Sequence, residues 1–201
     1  MSTTYSSSEW KGESLLRQSN RPLGHRLTDL AERFGPPILA LLFLMSTIFL
    51  MVGVVSTPWV DYLESSTTYY LGGVCDYKGC HDYSGLDTPF RDVFPATYNL
   101  VVLALALSVL EVVFLVLAIF GKRVALGILL TGVLSSAALL VAAIWFYFGV
   151  LVEMSHEPWR VGGGWFAAIE VIIFLLSATV FAFFAARHST SRPLSRPGLQ
   201  S

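Results

Sequence analysis

Polar and charged residues in this chain are gathered into short intervals between long apolar runs, and that pattern predicts four membrane-crossing helices. Residues 38–56 carry no charge, 98–120 contain only Glu111, 124–150 contain none, and 164–186 contain only Glu170. A helix rises about 1.5 Å per residue, so about 20 apolar residues bridge a hydrocarbon layer about 30 Å thick. Continuous runs of this length have no period-two alternation, which argues against a β-barrel. The expected fold is therefore all-α and membrane-embedded: a four-transmembrane-helix bundle over 36–186, with outer loops at 57–97 and 151–163. A small, disulfide-pinned, β-rich extracellular cap is expected from the first of these loops.

Composition agrees with this class. Hydrophobic residues make up 54% of the chain and charged residues 13%, and the mean hydropathy is +0.63, too apolar for an ordinary soluble domain. Charge adds an orientation, because cytoplasmic flanks retain Lys and Arg during insertion. Lys11, Arg17, Arg21, Arg26 and Arg33 precede the first span, Lys122 and Arg123 join the second to the third, and Arg187, Arg192 and Arg196 follow the fourth. Only Lys78, Arg91 and Arg160 lie on the other side, so both termini are expected in the cytoplasm, with the plasma membrane as the expected location. Glu9, Glu13, Asp29 and Glu32 argue against an organellar transit peptide, and the first apolar run reads as an uncleaved span. Residues 1–20, rich in Ser and Thr, are expected to be disordered, as is the basic, proline-broken tail 187–201. Between 21 and 35, Leu23, Leu27, Leu30, Ala31 and Phe34 recur at helical spacing, predicting a juxtamembrane amphipathic helix that Gly35, Pro36 and Pro37 should end. Such a helix fits either a lipid or partner surface or a solvated connector.

The first outer loop carries both cysteines, Cys75 and Cys80. On an oxidising side, with His81 as the only nearby imidazole, the pair predicts a disulfide rather than a zinc site, and no metal or other cofactor is expected. Thr67, Thr68, Tyr69, Tyr70 and Leu71 have the composition of a strand, and Gly72, Gly73 and Gly79 fit turns. Trp59, directly after the first span, suits the headgroup level, as do Trp145, Trp159 and Trp165 near the outer ends of spans three and four. Trp59, Tyr69, Tyr70, Tyr77 and Tyr83 are the candidate partner-binding residues, since interfaces favour large aromatic side chains.

Glu111 and Glu170 are the intramembrane polar candidates. An acid in hydrocarbon is costly and suggests a proton or cation path or a partner contact; the alternative is a hydrogen bond inside the bundle to neighbours such as Ser108, Thr131, Ser135 or Ser136. The small residues of span three, including Gly132 and Ser136, predict close helix packing or a dimer face, and Trp145 and Trp165 join them as packing candidates. Catalytic groups are not expected. The four histidines are scattered over both sides of the membrane, and no nucleophile elbow or phosphate-cradling loop appears.

Taken in order, several features resemble the claudin superfamily, the group that includes claudins, peripheral-myelin-protein relatives and calcium-channel gamma-type subunits. They are Trp59 after span one, the two-cysteine outer loop, the Lys122-Arg123 turn, Gly132, Ala143-Ile144-Trp145, and Gly162-Gly163-Gly164-Trp165 opening span four. The chain departs from that pattern where Leu71-Gly72-Gly73-Val74 replaces the family's Gly-Leu-Trp, and where only four residues separate the cysteines. The resemblance implies a non-enzymatic structural, adhesion or accessory subunit, at a cell junction or beside a channel or receptor. Its partners would be membrane lipids and another membrane protein or a second copy, with no nucleic acid. The alternative is a small ion or proton transporter using Glu111 and Glu170.

Overall fold

The computed structural model describes residues 23–62, 66–83, 90–152 and 159–191. The expectations for 1–20 and for the tail beyond 191 lie outside these residues. The chain divides into two compact units, 1–36 and 37–201; apart from the start of α1, the architecture below is that of the second.

Helix α1 is assigned over Leu23–Ser56, α2 over Phe90–Ile119, α3 over Ala125–Phe146 and α4 over Gly163–Ser191. Each contains a stretch long and apolar enough to cross a membrane. Four boundaries differ from expectation. Helix α3 ends at Phe146 and gives way to a π-helical turn over Tyr147–Leu151, where the α-helical span was expected to reach 150. Helical structure continues through Gly35, Pro36 and Pro37, where a stop was expected. Proline's φ is itself helical, so the loss is confined to hydrogen bonds of one turn. Helix α2 begins at Phe90, eight residues before the expected span, and holds Pro95 near its start. Helix α4 runs to Ser191, past the expected end of the span at Ala186.

The buried positions show how the helices meet. Ala40, Leu44, Thr47, Met51 and Val54 on α1, and Val101, Ala104, Ser108, Glu111, Leu115 and Ala118 on α2, alternate steps of three and four residues. So do Ile128, Gly132, Ser135, Leu139, Ala142 and Phe146 on α3, and Val171, Leu175, Ala178, Ala182 and Ala185 on α4. That spacing keeps one face of each helix turned inward, widened on α3 by Thr131, Ser136 and Ala143 and on α4 by Ala168, Ile172 and Thr179. Large apolar side chains such as Leu42, Phe49, Leu110, Phe148, Ile173 and Phe184 point outward instead. Helices α2, α3 and α4 approach closely, while α1 is held by side chains: Phe43 meets Phe174 edge-on at 6.5 Å, and Ser108 Oγ lies 3.5 Å from the Met51 sulfur.

Five short strands form one antiparallel sheet: β1 Val60–Tyr62, β2 Thr67–Tyr70, β3 Gly73–Asp76, β4 Gly79–His81 and β5 Trp159–Val161, in the order β4-β3-β2-β1-β5. The expected cap is present, with a strand where Thr67 to Leu71 predicted one, but it is not built from the first loop alone. The second loop supplies β5, which pairs with β1 so that Asp61 faces Arg160 and Val60 faces Val161. Pairing between strands of the two loops requires both to lie at the same end of the helices.

Trp59 fastens this sheet to the helix ends. Its side chain is 0% exposed, and its indole N–H donates to the Val54 carbonyl at 2.9 Å. The ring meets Phe146 of α3 at 4.7 Å, Phe146 meets Phe94 of α2 at 5.2 Å, and Phe94 contacts Tyr69 at 5.9 Å and Tyr83 at 4.9 Å. The Trp59 backbone is equally engaged: its N–H donates to Tyr69 and its carbonyl accepts from Gly162, both at 2.8 Å, while Gly164 donates to Pro58 at 2.7 Å. Glycine is required for this approach. A Cβ on Gly162 would stand 2.3 Å from the Pro58 oxygen, and one on Gly164 2.5 Å from the Trp59 ring.

A Gly164→Ala substitution is accordingly expected to destabilise the chain by about 1–3 kcal/mol, the usual cost of overpacking, in denaturation followed in detergent. Gly72→Ala, where a Cβ meets nothing within 4 Å, should stay within about 0.5 kcal/mol of wild type.

Candidate functional site

Among the described residues, the most exposed aromatic side chain of the cap is at the tip of the β3–β4 hairpin. Asp76 faces Gly79 in the register, leaving Tyr77 and Lys78 as a two-residue turn. The Asp76 carboxylate closes the turn, accepting from Lys78 N–H at 2.7 Å and Gly79 N–H at 3.1 Å. Gly79 has φ +135°, a conformation that glycine adopts without strain. One residue back on each strand, Cys75 and Cys80 face each other and are joined as the expected disulfide. Tyr77 then stands 82% exposed, with the Lys78 ammonium over its ring at 5.3 Å.

Behind the tip the hairpin is tied down. The Tyr83 hydroxyl is shared between the carbonyls of Tyr70 and Gly73. A Cβ on Gly73 would meet the His81 oxygen at 2.5 Å, so glycine lets β4 close on β3. Burial, followed by the neighbouring Tyr69 hydroxyl, pushes the Tyr83 phenol up from its ordinary value. Arg91, in the first turn of α2, lines a cleft of about 480 Å³ beside this segment, together with Asp82 and Tyr98.

Burial separates the five partner-binding candidates. Trp59, Tyr69 and Tyr83 are buried in the joint between cap and helices, so they hold the site and do not present it. Trp59 in particular is a core residue where a headgroup anchor was expected, because its indole proton is satisfied by Val54 and its ring is buried against Phe146. Tyr70 is half-buried. Tyr77 alone of the five is open to a partner.

The packing candidates divide as well. Gly132 is buried, and a Cβ there would lie 2.1 Å from the Thr179 hydroxyl oxygen, so this glycine sets how closely α3 and α4 approach. Ser136 is buried, with its hydroxyl returned to the Gly132 carbonyl at 2.9 Å. Trp165 donates across the same pair of helices to the Ala143 carbonyl at 3.2 Å and stacks on Tyr147 at 6.0 Å. Trp145, expected to pack, is instead 54% exposed and faces outward.

Glu111 and Glu170 have opposite surroundings. Glu111 is 0% exposed, and among the described residues neither carboxyl oxygen has a hydrogen-bond partner. The hydroxyls expected to serve it are engaged elsewhere: Ser108 and Ser135 share their two protons among the 2.9 Å contact between them and the Ala104 carbonyl, and Thr131 donates to Gly127. Thr179 lies near enough to act on the carboxyl, but its proton goes to Leu175 at 2.8 Å. Glu170 lies on the outer surface of α4, nine residues and about 13 Å of helical rise from Thr179. The two acids therefore share neither a depth nor a face.

No protein-family model and no curated protein sequence matches this chain.

Three outcomes follow from this geometry. Replacing both cysteines by serine should lower stability by about 2 kcal/mol in the chain-entropy picture, read as a shift in the denaturation midpoint. Gly132→Ala should destabilise by about 1–3 kcal/mol, and adding Thr179→Ala should recover part of that loss, a non-additivity measured by a double-mutant cycle. Because the folded state holds the Tyr83 proton more tightly than the unfolded chain does, that contribution is complete below the ordinary tyrosine value of about 10 and fades as pH rises past it. Tyr83→Phe should flatten the alkaline fall in the denaturation midpoint.

Proposed function

We propose that this chain is a four-pass integral membrane protein with both termini in the cytoplasm and its sheet outside. In this reading it acts without catalysis, as a claudin-like structural, adhesion or accessory subunit that binds partner membrane proteins through its outer loops and helices. Four helices of spanning length, outward-facing large apolar side chains and the one-sided distribution of Lys and Arg support the membrane reading. The resemblance in the order of Trp59, the cysteine loop, the basic turn and the glycine-tryptophan start of α4 supports the kind of role. The observation that carries it is the β3–β4 tip: a disulfide-joined hairpin that presents Tyr77 nearly fully exposed beside Lys78. A rigid aromatic side chain offers contact area with little ordering entropy to lose on binding.

A second reading, a small ion or proton carrier, draws on Glu111, whose buried carboxyl has no hydrogen-bond partner among the described residues. Weighing against it is the position of Glu170, on a different face and at a different depth, so the two acids do not line one path.

The test places epitope tags at each terminus and a photocrosslinking residue at position 77 of the full chain in cells. The expected outcome is terminal tags stained only after permeabilisation, and crosslinks from position 77 to a membrane protein that are lost when the residue is moved to buried position 69. Terminal tags stained on intact cells, or crosslinks independent of position, would contradict the reading. Flux in proteoliposomes that Glu111→Gln abolishes would favour the carrier instead.

A further inference from the structure

Helix α4 has two seams. Its inward seam packs against α3, whereas Phe166, Glu170, Ile173, Ser177, Val180 and Phe184 form an outward one with the same alternation of four and three residues, and all six are exposed. Most of this outward seam suits lipid. Glu170 does not, since ionisable residues within a bilayer turn almost without exception toward a bundle interior or a polar cavity. Among the described residues nothing pairs with its carboxylate. Counted from Gly163, it lies about 10 Å along the helix from the outer end, deeper than the Trp165 level.

From this exposed acid on a helix-packing seam we infer that the outer face of α4 is a docking surface for a transmembrane helix of another protein, one that carries a lysine or arginine opposite Glu170. The choice of occupant rests on charge. A second copy carries its cations at helix ends and on the sheet, Arg91 in the first turn of α2, Arg187 near the far end of α4 and Arg160 on β5, and none at the depth of Glu170; a symmetric contact through this seam would bring Glu170 against Glu170. Lipid tails offer no donor at that depth. A basic side chain on a neighbouring helix would neutralise the carboxylate and make charge-assisted hydrogen bonds with it in a low-dielectric setting. The three-and-four spacing lets the partner cross at the shallow angle of the chain's own helices, with Ser177 two turns below as a further polar contact. This surface rests on the membrane-subunit reading above and names its partner's chemistry.

The experiment reconstitutes the full chain, labelled at its C-terminus, in phosphatidylcholine vesicles with synthetic polyleucine transmembrane peptides that carry the second fluorophore. One peptide has a lysine seven residues from one end of its span, and the control has leucine there. The lysine peptide should associate with the wild type about three- to thirtyfold more tightly than the control, the range that interhelical polar contacts give. Glu170→Gln, which lies on the surface and leaves the bundle interior untouched, should remove that preference, and Ile173→Trp should weaken it. Equal binding of the two peptides, or a preference that survives Glu170→Gln, would overturn the inference. So would energy transfer between copies of the chain that Glu170→Gln abolishes. Protease protection of the same vesicles separates the two claims: protected spans without a lysine preference defeat the docking surface alone, whereas unprotected spans defeat the membrane reading and this inference together.

Discussion

The structure depends on the seat of Trp59. Four segments converge on this residue, two near it in sequence and two far from it: the end of α1 through Val54, the sheet through Tyr69, the end of α3 through Phe146, and the start of α4 through Gly162 and Gly164. Strands of three or four residues do not hold together by themselves. Here they gain a hydrophobic floor, because the aromatic chain from Trp59 through Phe146 and Phe94 to Tyr69 and Tyr83 lies beneath them. The Gly162–Gly164 turn is the complement of this arrangement, since its lack of side chains lets two backbones meet at the tryptophan.

Below that joint the bundle handles polar groups locally. Thr47, Thr131, Ser136 and Thr179 each return their hydroxyl to a carbonyl of their own helix. The exception is Ser135, which reaches the Ala104 carbonyl and Ser108 on the next helix. Hydroxyls used in this way satisfy themselves and leave little for a neighbour, which is why Glu111 remains without a donor amid several of them. Close approach at Gly127, packed on the Phe114 ring, and at Gly132, packed on Thr179, brings α3 against both of its neighbours.

Much of this was legible in the chain itself. Uninterrupted apolar runs located the four long helices, cysteine position predicted the disulfide, and β-branched and aromatic residues at 67–71 marked a strand. Other features left no local signal. Strand β5 is three residues long, too short for alternation to register, and exists because β1 offers it an edge. The early start of α2 was hidden by Pro95, whose missing N–H removes one bond near a helix end. Whether Glu111 and Glu170 faced inward or outward could not be read from periodicity, because helices apolar on every side have no polar face to set their rotation. Trp59 was misplaced for a related reason: an indole just past a span fits the headgroup level equally well, and only the partners of its N–H distinguish the two positions.

The functional proposal grows out of the same joint. In the proposed reading the cap on the helix ends holds Tyr77 away from the bilayer and the outer seam of α4 presents Glu170 within it, two proposed contact surfaces at different heights. Both require sheet and helices to behave as one unit through Trp59. Hydrogen–deuterium exchange of the full chain in detergent micelles, wild type beside Trp59→Ala, measures that coupling. Protection should fall together in β1, β2, β5 and the outer turns of α3 and α4. Loss confined to the sheet, with the helix ends exchanging as in the wild type, would show that cap and bundle are independent and would contradict the account.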